Sequence, residues 1–227
     1  MIDELALAGA EHLDPEYVAG FDAKQGHPNP SSDLDLLSDH GVGAQATVID
    51  FGAGTGQFAL PAAQRFARVI AVDVSPVMVA ELRRRAAESG LRNLECVHAG
   101  FLSYKHAGGA TDAAYTRNAL HHLPDFWKVM ALTNIATALK PGGLLRLRDL
   151  VFDCTPAELD SVLHRLFEQA ATDPSRGYTR DDFIDHVRHE HSTFRWLLEP
   201  MLNEAGFDVL SVEYERSVYA AYLCRKR

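Results

Sequence analysis

The chain is poor in cysteine, and the few it has are scattered. Its cysteines are Cys96, Cys154 and Cys224, and no two stand at the spacing of metal ligands. An odd, sparse set argues against a disulfide framework and indicates a reducing compartment. We therefore expect a cytoplasmic protein whose fold depends on its apolar core.

Long apolar runs are missing as well. No stretch approaches the ~18–20 apolar residues that a membrane-spanning helix needs. The opening segment, MIDELALAGAEHLD, carries acids where a secretory signal peptide carries bases. Both absences favour a soluble protein, and no membrane span is expected.

Basic residues are the third scarcity. The 22 Lys and Arg are outnumbered by 31 Asp and Glu, which gives a net charge of −9 with histidine neutral. The basic clusters, at 83–85 and 225–227, are typical of solvated surface. Because nucleic-acid affinity rests on Lys and Arg that neutralise phosphates, this balance disfavours a DNA or RNA partner.

What the chain does have is an ordinary globular composition, 47% hydrophobic and 23% charged over 227 residues. That length suits one domain with additions. Short apolar segments alternate with helical patterns between residues 45 and 151, and the triplet PGG at 141–143 ends the last helix. Strands are predicted over 47–51, 69–73, 94–98, 113–117 and 144–151, and helices over 57–67, 76–90 and 125–140. This alternation predicts an α/β protein with a Rossmann-like, doubly wound, mainly parallel sheet.

The flanking regions follow other patterns. Residues 1–30 look irregular, and a short helix is predicted over 33–39. Helices are predicted over 156–171, 180–189 and 194–205, and the alternating segments 208–214 and 218–224 predict an antiparallel hairpin. The expected parts are an N-terminal lid or helical segment (1–44), a cofactor-binding core (45–151), a helical insertion over the active site (152–192) and a C-terminal helix and hairpin (193–227).

A glycine-rich turn, VIDFGAGTGQF, follows the first predicted strand. In an open parallel sheet, ligands bind at the carboxyl ends of the strands. Gly52 permits a tight turn there, and Gly54 lets the backbone approach a ligand with no Cβ in the way. Gly56 lets the next helix start close to the strand.

The spacing of these glycines separates two kinds of ligand. A dinucleotide fingerprint would place its third glycine at position 57, where this chain has Gln57. Asp73 lies 21 positions after Gly52, at the end of the second strand. A carboxylate there can accept hydrogen bonds from both ribose hydroxyls of an adenosine-type ligand. Because NAD would use the same acid, only the glycine spacing argues against an NAD-dependent oxidoreductase, which stays the alternative.

Four segments together resemble the class I S-adenosylmethionine-dependent methyltransferases, most of all the small-molecule branch that includes the quinone-biosynthesis enzymes. They are VIDFGAGTGQFAL, VIAVDVSPVMV, DAAYTRNALHHLPD and LKPGGLLRLRDL, within residues 45–150. The resemblance implies a seven-stranded sheet with a C-terminal antiparallel hairpin. It also implies in-line transfer of a methyl group from S-adenosyl-L-methionine to an O, N or C nucleophile of a small-molecule acceptor, with S-adenosyl-L-homocysteine as product.

The resemblance also implies a set of cofactor-binding residues. The glycine turn and Asp50 would meet the methionine end, and Asp73 would hold the ribose. The full set is Asp50, Gly52, Ala53, Gly54, Thr55, Gly56, Asp73, Val74, Met78, Gly100, Phe101, Arg117, Asn118 and Ala119. Many family members carry an Asp after the third strand, near the adenine amine. This chain has Gly100 and Phe101 there, so that polar contact is missing from the motif.

Methyl transfer needs a general base only where the acceptor carries a proton on the reacting atom. His121 and His122 follow the fourth predicted strand, and Glu190 and His191 lie in the insertion, so these four are the catalytic candidates. For both histidines of the first pair, a purely structural role in pinning the loop is the alternative. His189 and His191 are two positions apart, which is poor spacing for metal ligands, and no metal is predicted.

Two further groups are candidates for contact with the acceptor. Tyr17, Phe21 and His27 belong to the N-terminal segment, which would close over both substrates and exclude water. Arg148 and Asp149 end the fifth predicted strand at the same edge of the sheet. The alternatives are a terminus that touches nothing and an ion pair that only closes the strand.

The segment after the fourth strand also bears on the acceptor. It reads RNAL instead of the N-P-P-[YF] tetrad with which amino-methylating nucleic-acid enzymes often grip a flipped base. With the acidic composition, this favours a small-molecule acceptor. A non-catalytic module that binds S-adenosylmethionine is the third interpretation, and a homodimer is compatible with the sequence.

Overall fold

A computed structural model describes residues 2–227, and a single sheet organises them. Seven strands follow the order β3-β2-β1-β4-β5-β8-β7. The pairs β5–β8 and β8–β7 are antiparallel, and all other neighbouring pairs in this order are parallel. The strands are β1 (Thr47–Phe51), β2 (Arg68–Asp73), β3 (Leu94–His98), β4 (Thr111–Arg117), β5 (Leu139–Phe152), β7 (Phe207–Glu215) and β8 (Tyr219–Lys226), with a two-residue β6 (Thr193–Phe194) beside the end of β5. The predicted α/β class and the C-terminal hairpin are confirmed.

Helices cover both faces of the sheet, because alternate strand residues point to opposite sides. Val48 belongs to the core cluster that contains Leu37 and Ala59 on one face, whereas Ile49 and Phe51 belong to the cluster that contains Leu132 and Leu198 on the other. The helices are α1 (Glu4–Leu7), α2 (Pro15–Lys24), α3 (Ser31–Asp39), α4 (Ala59–Arg65), α5 (Pro76–Glu88), α6 (Asp125–Ala138), α7 (Leu159–Glu168), α8 (Arg180–His189) and α9 (Arg195–Glu204). None of the helices formed by residues 2–227 has the length and apolarity needed to cross a membrane.

The N-terminal segment is helical, so the prediction of an irregular chain over residues 1–30 is wrong. Asp3 caps α1 and Asp14 caps α2, and Pro15 stands in the first turn of α2. Between them, Ala10–Leu13 form a 3-10 turn. The four residues of α1 are too few to show a helical period, whereas the ten residues of α2 carry start signals, Asp14 and Pro15, that the prediction did not use.

Several element boundaries differ from the prediction, and two of them have clear backbone reasons. Helix α4 begins at Ala59 instead of residue 57, because Gly54 and Gly56 have positive φ and hold the preceding residues in a turn. Helix α6 ends at Ala138, and the predicted stop at residues 141–143 instead lies inside β5. Leu139 already pairs with Thr111 there, and the register shifts before Ala113. The glycines thus mark an irregular strand start.

Residues 152–192 form a small helical unit beside the sheet. A 3-10 turn, Pro156–Glu158, replaces the start of the predicted helix, and α7 ends at Glu168. Val162 and Leu166 pack on Phe152 and Val218. Phe183 of α8 packs against the same cluster, and the His191 N–H donates to His121 O at 2.9 Å, so the end of α8 lies beside the turn after β4.

Candidate functional site

A cleft opens at the carboxyl ends of β1, β2 and β4, where the strand order reverses. Its empty volume, open mouth included, is about 1030 Å³. Most of the predicted cofactor residues line it: Asp50, Gly52, Ala53, Gly54, Asp73, Val74, Met78, Gly100, Phe101, Arg117, Asn118 and Ala119. An open α/β sheet binds its ligands at such a point.

The glycine turn shapes the floor of this cleft. Gly52 has φ +68°, and a Cβ at this position would collide with the side chain of Ala119. Its N–H donates to Val72 O at 2.8 Å, which folds the turn back onto β2. Only glycine satisfies both the positive φ and the close approach of the loop after β4.

Gly56 and Thr55 do not line the cleft, contrary to the set implied by the resemblance. Gly56 has φ +92°, and a Cβ there would collide with Leu82 of α5. Thr55 donates its hydroxyl to Asp22 of α2. Both residues therefore act on the packing of helices around the turn.

Asp73 stands at the rim of the cleft with its carboxylate fixed by the backbone. Its Oδ2 accepts the Gly54 N–H at 2.7 Å, and its Oδ1 accepts the Ser75 N–H at 2.8 Å. Burial raises the pKa of Asp73 above its usual value, although these two N–H groups favour the charged form. A carboxylate has about four acceptor positions, so acceptor capacity remains for a ligand.

Asp50 is the second buried carboxylate of the cleft. It is 2% exposed, and its Oδ2 has no hydrogen-bond partner among residues 2–227. Burial, together with the negative charge of Asp73, raises the pKa of Asp50 well above its usual value. A buried acceptor without a partner is costly, so this atom is suited to a cationic or N–H-bearing ligand group.

The N-terminal segment supplies a carboxylate near the position where the motif lacks an acid after β3. Glu4 of α1 lines the cleft and accepts hydrogen bonds from the N–H groups of Leu102 and Ser103, both at 3.0 Å. A Cβ on Gly100 would collide with the Glu4 carboxylate. Phe101 is stacked on Phe51 with ring centroids 5.7 Å apart, and it also lines the cleft. No sequence signal pointed to Glu4, which lies almost a hundred residues from Gly100.

The loop after β4 holds a strained residue at the edge of the cleft. Asn118 has φ +48°, and its N–H donates to Arg148 O at 2.9 Å. Its side-chain amide lies 3.4 Å from Gln25 Oε1 of α2. Backbone strain in a non-glycine residue is often found at functional sites.

A second cavity adjoins the cleft on the side of α8, with an empty volume of about 1650 Å³. The two cavities share five lining residues: His12, Phe21, Gln25, Asn118 and His122. Tyr17, one of the candidates for contact with the acceptor, lines the second cavity. His27 is exposed and lies outside the lining of either cavity, because the chain turns away from α2 at Gly26.

Histidines and acids form an ionic cluster in the wall of the second cavity. His121 is 6% exposed, and its Nδ1 hydrogen-bonds Asp149 Oδ1. Burial works against a charged imidazole, but the Asp149 carboxylate outweighs it and raises the pKa of His121. Glu190 lies beside both histidines of the loop, with its Oε2 3.5 Å from His121 Nε2 and 2.7 Å from His122 Nδ1.

The pKa shifts in this cluster have opposite directions. Burial would raise the pKa of Glu190, but the neighbouring imidazoles lower it to about 2. Burial and the charge of His121 lower the pKa of His186 to about 4, and they lower that of His122 as well. At neutral pH the cluster therefore holds ionised carboxylates and neutral His122 and His186 side chains.

Three of the predicted acceptor-side or catalytic residues take other places. Arg148 pairs with Asp33 of α3 at 2.9 Å and lines neither cavity. Asp149 is 3% exposed, and its carboxylate is hydrogen-bonded to His121. The backbone of His191 donates to His121 O at 2.9 Å, and its side chain is absent from the lining of both cavities. His12, Gln25 and His186, by contrast, line the site without having been singled out in the sequence, because none stands in a motif.

Comparison with known proteins shows that part of the chain is similar to methyltransferases. Residues 48–143 match a family model described as a methyltransferase domain. A trans-aconitate 2-methyltransferase of Deinococcus radiodurans is 32% identical over 152 residues, which are 66% of this chain and 52% of that protein. The chain thus spans about half the length of that relative.

Solved structures show the same fold at low identity. A magnesium protoporphyrin IX methyltransferase from Synechocystis with bound S-adenosylmethionine has a TM-score of 0.67 at 14% identity, over 100% of this chain and 99% of that one. The [4+2]-cyclase SpnF has a TM-score of 0.66 at 20% identity, over 86% of this chain and 80% of that one. Because the fold carries more than one chemistry, the reaction must be argued from the site.

Proposed function

We propose that this chain is a class I S-adenosylmethionine-dependent methyltransferase that methylates an O, N or C nucleophile of a small molecule. The methyltransferase-domain match over residues 48–143 and the relative that is 32% identical over 152 residues support this proposal. The cofactor, when bound, supplies the activated methyl group. The protein supplies alignment and exclusion of water, and proximity alone can contribute ~7–11 kcal/mol. The observation that carries the proposal is the pair of buried carboxylates, Asp50 and Asp73, beside the glycine turn.

Each carboxylate fits one part of the cofactor. The unpartnered Oδ2 of Asp50 is suited to the α-ammonium group, which would satisfy both its charge and its missing hydrogen bond. Asp73, held by two backbone N–H groups, would accept the ribose hydroxyls. These assignments support S-adenosylmethionine over a ligand without a cation.

The adenine would lie on the side of β3. Val74, Met78 and Phe101 supply apolar surface there. Glu4 supplies the acceptor that the sequence after β3 lacks, and we assign it to the exocyclic amine. The N-terminal segment would then contribute directly to cofactor affinity.

The second cavity is the proposed acceptor site, because it meets the cleft along shared side chains. His122 belongs to that shared wall, and its lowered pKa leaves its imidazole neutral and able to accept a proton. We assign His122 as general base for acceptors whose reacting atom carries a proton.

Ligand binding tests the proposal directly. We expect S-adenosylhomocysteine, and not NAD, to raise the melting temperature of the protein. In calorimetry, Asp73→Ala should weaken S-adenosylhomocysteine by about 1.5–3 kcal/mol, since charged hydrogen bonds are lost. Asp39→Ala, at an exposed acid on α3, is the control.

Two outcomes would contradict the assignment. Equal affinity in wild type and Asp73→Ala would remove Asp73 from the site, and preference for NAD would overturn the cofactor. Binding of S-adenosylhomocysteine with no methylation across a broad metabolite panel would favour the non-catalytic module instead.

A further inference from the structure

Three potential metal ligands from two distant parts of the chain converge in the wall of the second cavity. His121 comes from the turn after β4, and His186 and Glu190 come from the end of α8. One ligand atom from each of the three lies within 4.8 Å of the others. From the sequence, only His189 and His191 were considered as metal ligands, and neither residue belongs to this group of three.

Hydrogen bonds to Asp149 fix the orientation of the His121 ring. Its Nδ1 is engaged by Asp149 Oδ1, while Asp149 Oδ2 accepts the His121 backbone N–H at 3.1 Å. The remaining nitrogen, Nε2, faces Glu190 Oε2 at 3.5 Å. A histidine that binds a metal through one ring nitrogen commonly donates its other ring N–H to a carboxylate, which fixes the ring.

His186 is held in the same way. Its Nε2 lies 2.6 Å from Ser192 Oγ, which fixes the ring plane. Its Nδ1 faces Glu190 Oε1 at 4.0 Å. Both imidazoles therefore present a lone nitrogen to the same carboxylate.

Glu190 has unused capacity. Its Oε2 and His122 Nδ1 are buried 2.7 Å apart, yet within the described chain neither atom has a hydrogen bond of acceptable geometry. A buried carboxylate oxygen without a partner carries a desolvation cost. A cation bound to this oxygen would remove that cost.

The two halves of the cluster are locked together by the backbone. The His191 N–H donates to His121 O at 2.9 Å, so the end of α8 and the turn after β4 keep a fixed spacing. Lys128 of α6 donates to the carbonyl of His191 and to Asp125. These hydrogen bonds fix the relative positions of the two segments that carry the proposed ligands.

We propose that His121 Nε2, His186 Nδ1 and Glu190 bind one divalent transition-metal ion of the zinc type. Metal bonds of ~2.0–2.1 Å in tetrahedral geometry place ligand atoms about 3.3 Å apart. His121 Nε2 lies 3.5 Å from Glu190 Oε2, and His186 Nδ1 lies 4.0 Å from Glu190 Oε1. Because the three ligand atoms lie within 4.8 Å of one another, binding requires them to approach by at most about 1.5 Å. Two imidazoles and one carboxylate suit zinc or iron, whereas calcium and magnesium prefer sets of oxygens.

Three protein ligands leave a coordination position that opens on the second cavity. The ion would there bind an oxygen of the acceptor and lower its pKa. This role rests on the proposed function, but binding of the ion does not.

Zinc titration of the chelator-treated, full-length protein tests the site, with ZnCl₂ as the only ligand. We expect one equivalent of Zn²⁺ in calorimetry, and a loss of affinity of more than about 100-fold in Glu190→Gln and in His186→Gln. Asp149→Asn should lose about 10–100-fold, as supporting residues do. His189→Gln, at an exposed histidine on the same helix, should bind as wild type does.

The readouts separate this proposal from that of the cofactor. No zinc binding, or equal affinity in wild type, Glu190→Gln and His186→Gln, would overturn the metal site and leave a hydrogen-bonded ionic cluster. Circular dichroism and S-adenosylhomocysteine affinity, measured on the same variants, report folding and the cleft. If the wild-type protein does not bind S-adenosylhomocysteine, the proposed function is contradicted, but the zinc result is unaffected.

Discussion

The proposed contact of Asp50 Oδ2 with the ammonium group of the cofactor predicts that cofactor binding depends on pH. The raised pKa of Asp50 favours its neutral form in the free protein, whereas the ammonium group of the ligand requires the carboxylate. At pH values below the free-state pKa of Asp50, binding therefore releases a proton, whereas above that pKa the carboxylate is already charged and affinity is fully present. As pH falls through that pKa, affinity should drop by up to about tenfold per pH unit.

Asp50→Asn should remove this dependence. We expect the variant to bind S-adenosylhomocysteine more weakly at neutral pH and with a flatter pH profile, measured by calorimetry between acidic and neutral buffers. Asp73 also titrates in the cleft, so the difference between wild type and variant is the quantity to compare. An unchanged slope would show that Asp50 does not meet the ammonium group; Asp160→Asn, at an exposed acid on α7, is the control.

At the level of elements, a buried ion network joins α3 to the sheet. Asp33 is fully buried and pairs with Arg146 and Arg148 of β5, each at 2.9 Å, and it accepts from Tyr115 Oη at 3.1 Å. Arg146 is itself only 4% exposed. Removing the carboxylate leaves a buried guanidinium without its partner.

We expect Asp33→Ala to lower the free energy of unfolding by about 3–5 kcal/mol. Asp35→Ala on the same helix breaks an exposed pair with Arg65 and should cost less than about 1 kcal/mol. Urea unfolding followed by circular dichroism measures both. Equal effects would mean that the network contributes nothing beyond a surface pair.

The sequence predicted the elements well where a periodic pattern and a strong boundary coincide. Strand β1 has the predicted bounds, and α5 starts at Pro76 behind its Ser75 cap. Helix α4 was predicted too long, because its apolar pattern continues through a turn whose positive φ values the pattern does not record. Most of the cleft could be assigned because its residues sit in one contiguous core.

The rest of the site depends on contacts between distant segments. Glu4 reaches Ser103 across the whole cofactor core, and His121 meets Glu190 only after the chain has completed α6 and the insertion. No local pattern specifies such pairs, because they follow from the packing of helices on the sheet. Arg148, which the sequence placed at the acceptor, is drawn away by Asp33 on α3 for the same reason.

Over the whole molecule, α2 connects the core to the helical unit of residues 152–192. Asp22 pairs with Arg85 of α5, Lys24 pairs with Asp182 of α8 at 2.9 Å, and Gln25 donates to Tyr178 Oη at 2.6 Å. The half-buried positions of Lys24 and Asp182 reduce screening by solvent. Opening of α2 and of α8 should therefore be coupled.

Lys24→Met tests this coupling through hydrogen exchange followed by mass spectrometry. We expect faster exchange in both α2 and α8, with the strands of the core unchanged, because local openings follow the contacts that are lost. Arg188→Met, at an exposed cation of α8, should leave both helices as they are. Faster exchange confined to α2 would show that the two helices open independently.

The contact between Gly100 and Glu4 links the loop after β3 to the N-terminal segment. Any side chain at position 100 would occupy the space of the Glu4 carboxylate, and loss of that carboxylate would leave the N–H groups of Leu102 and Ser103 without their acceptor. A side chain at position 100 would therefore push the Glu4 carboxylate aside and disturb its two hydrogen bonds to the loop after β3. Through this one contact, the size of residue 100 affects how the covering N-terminal segment attaches to the sheet.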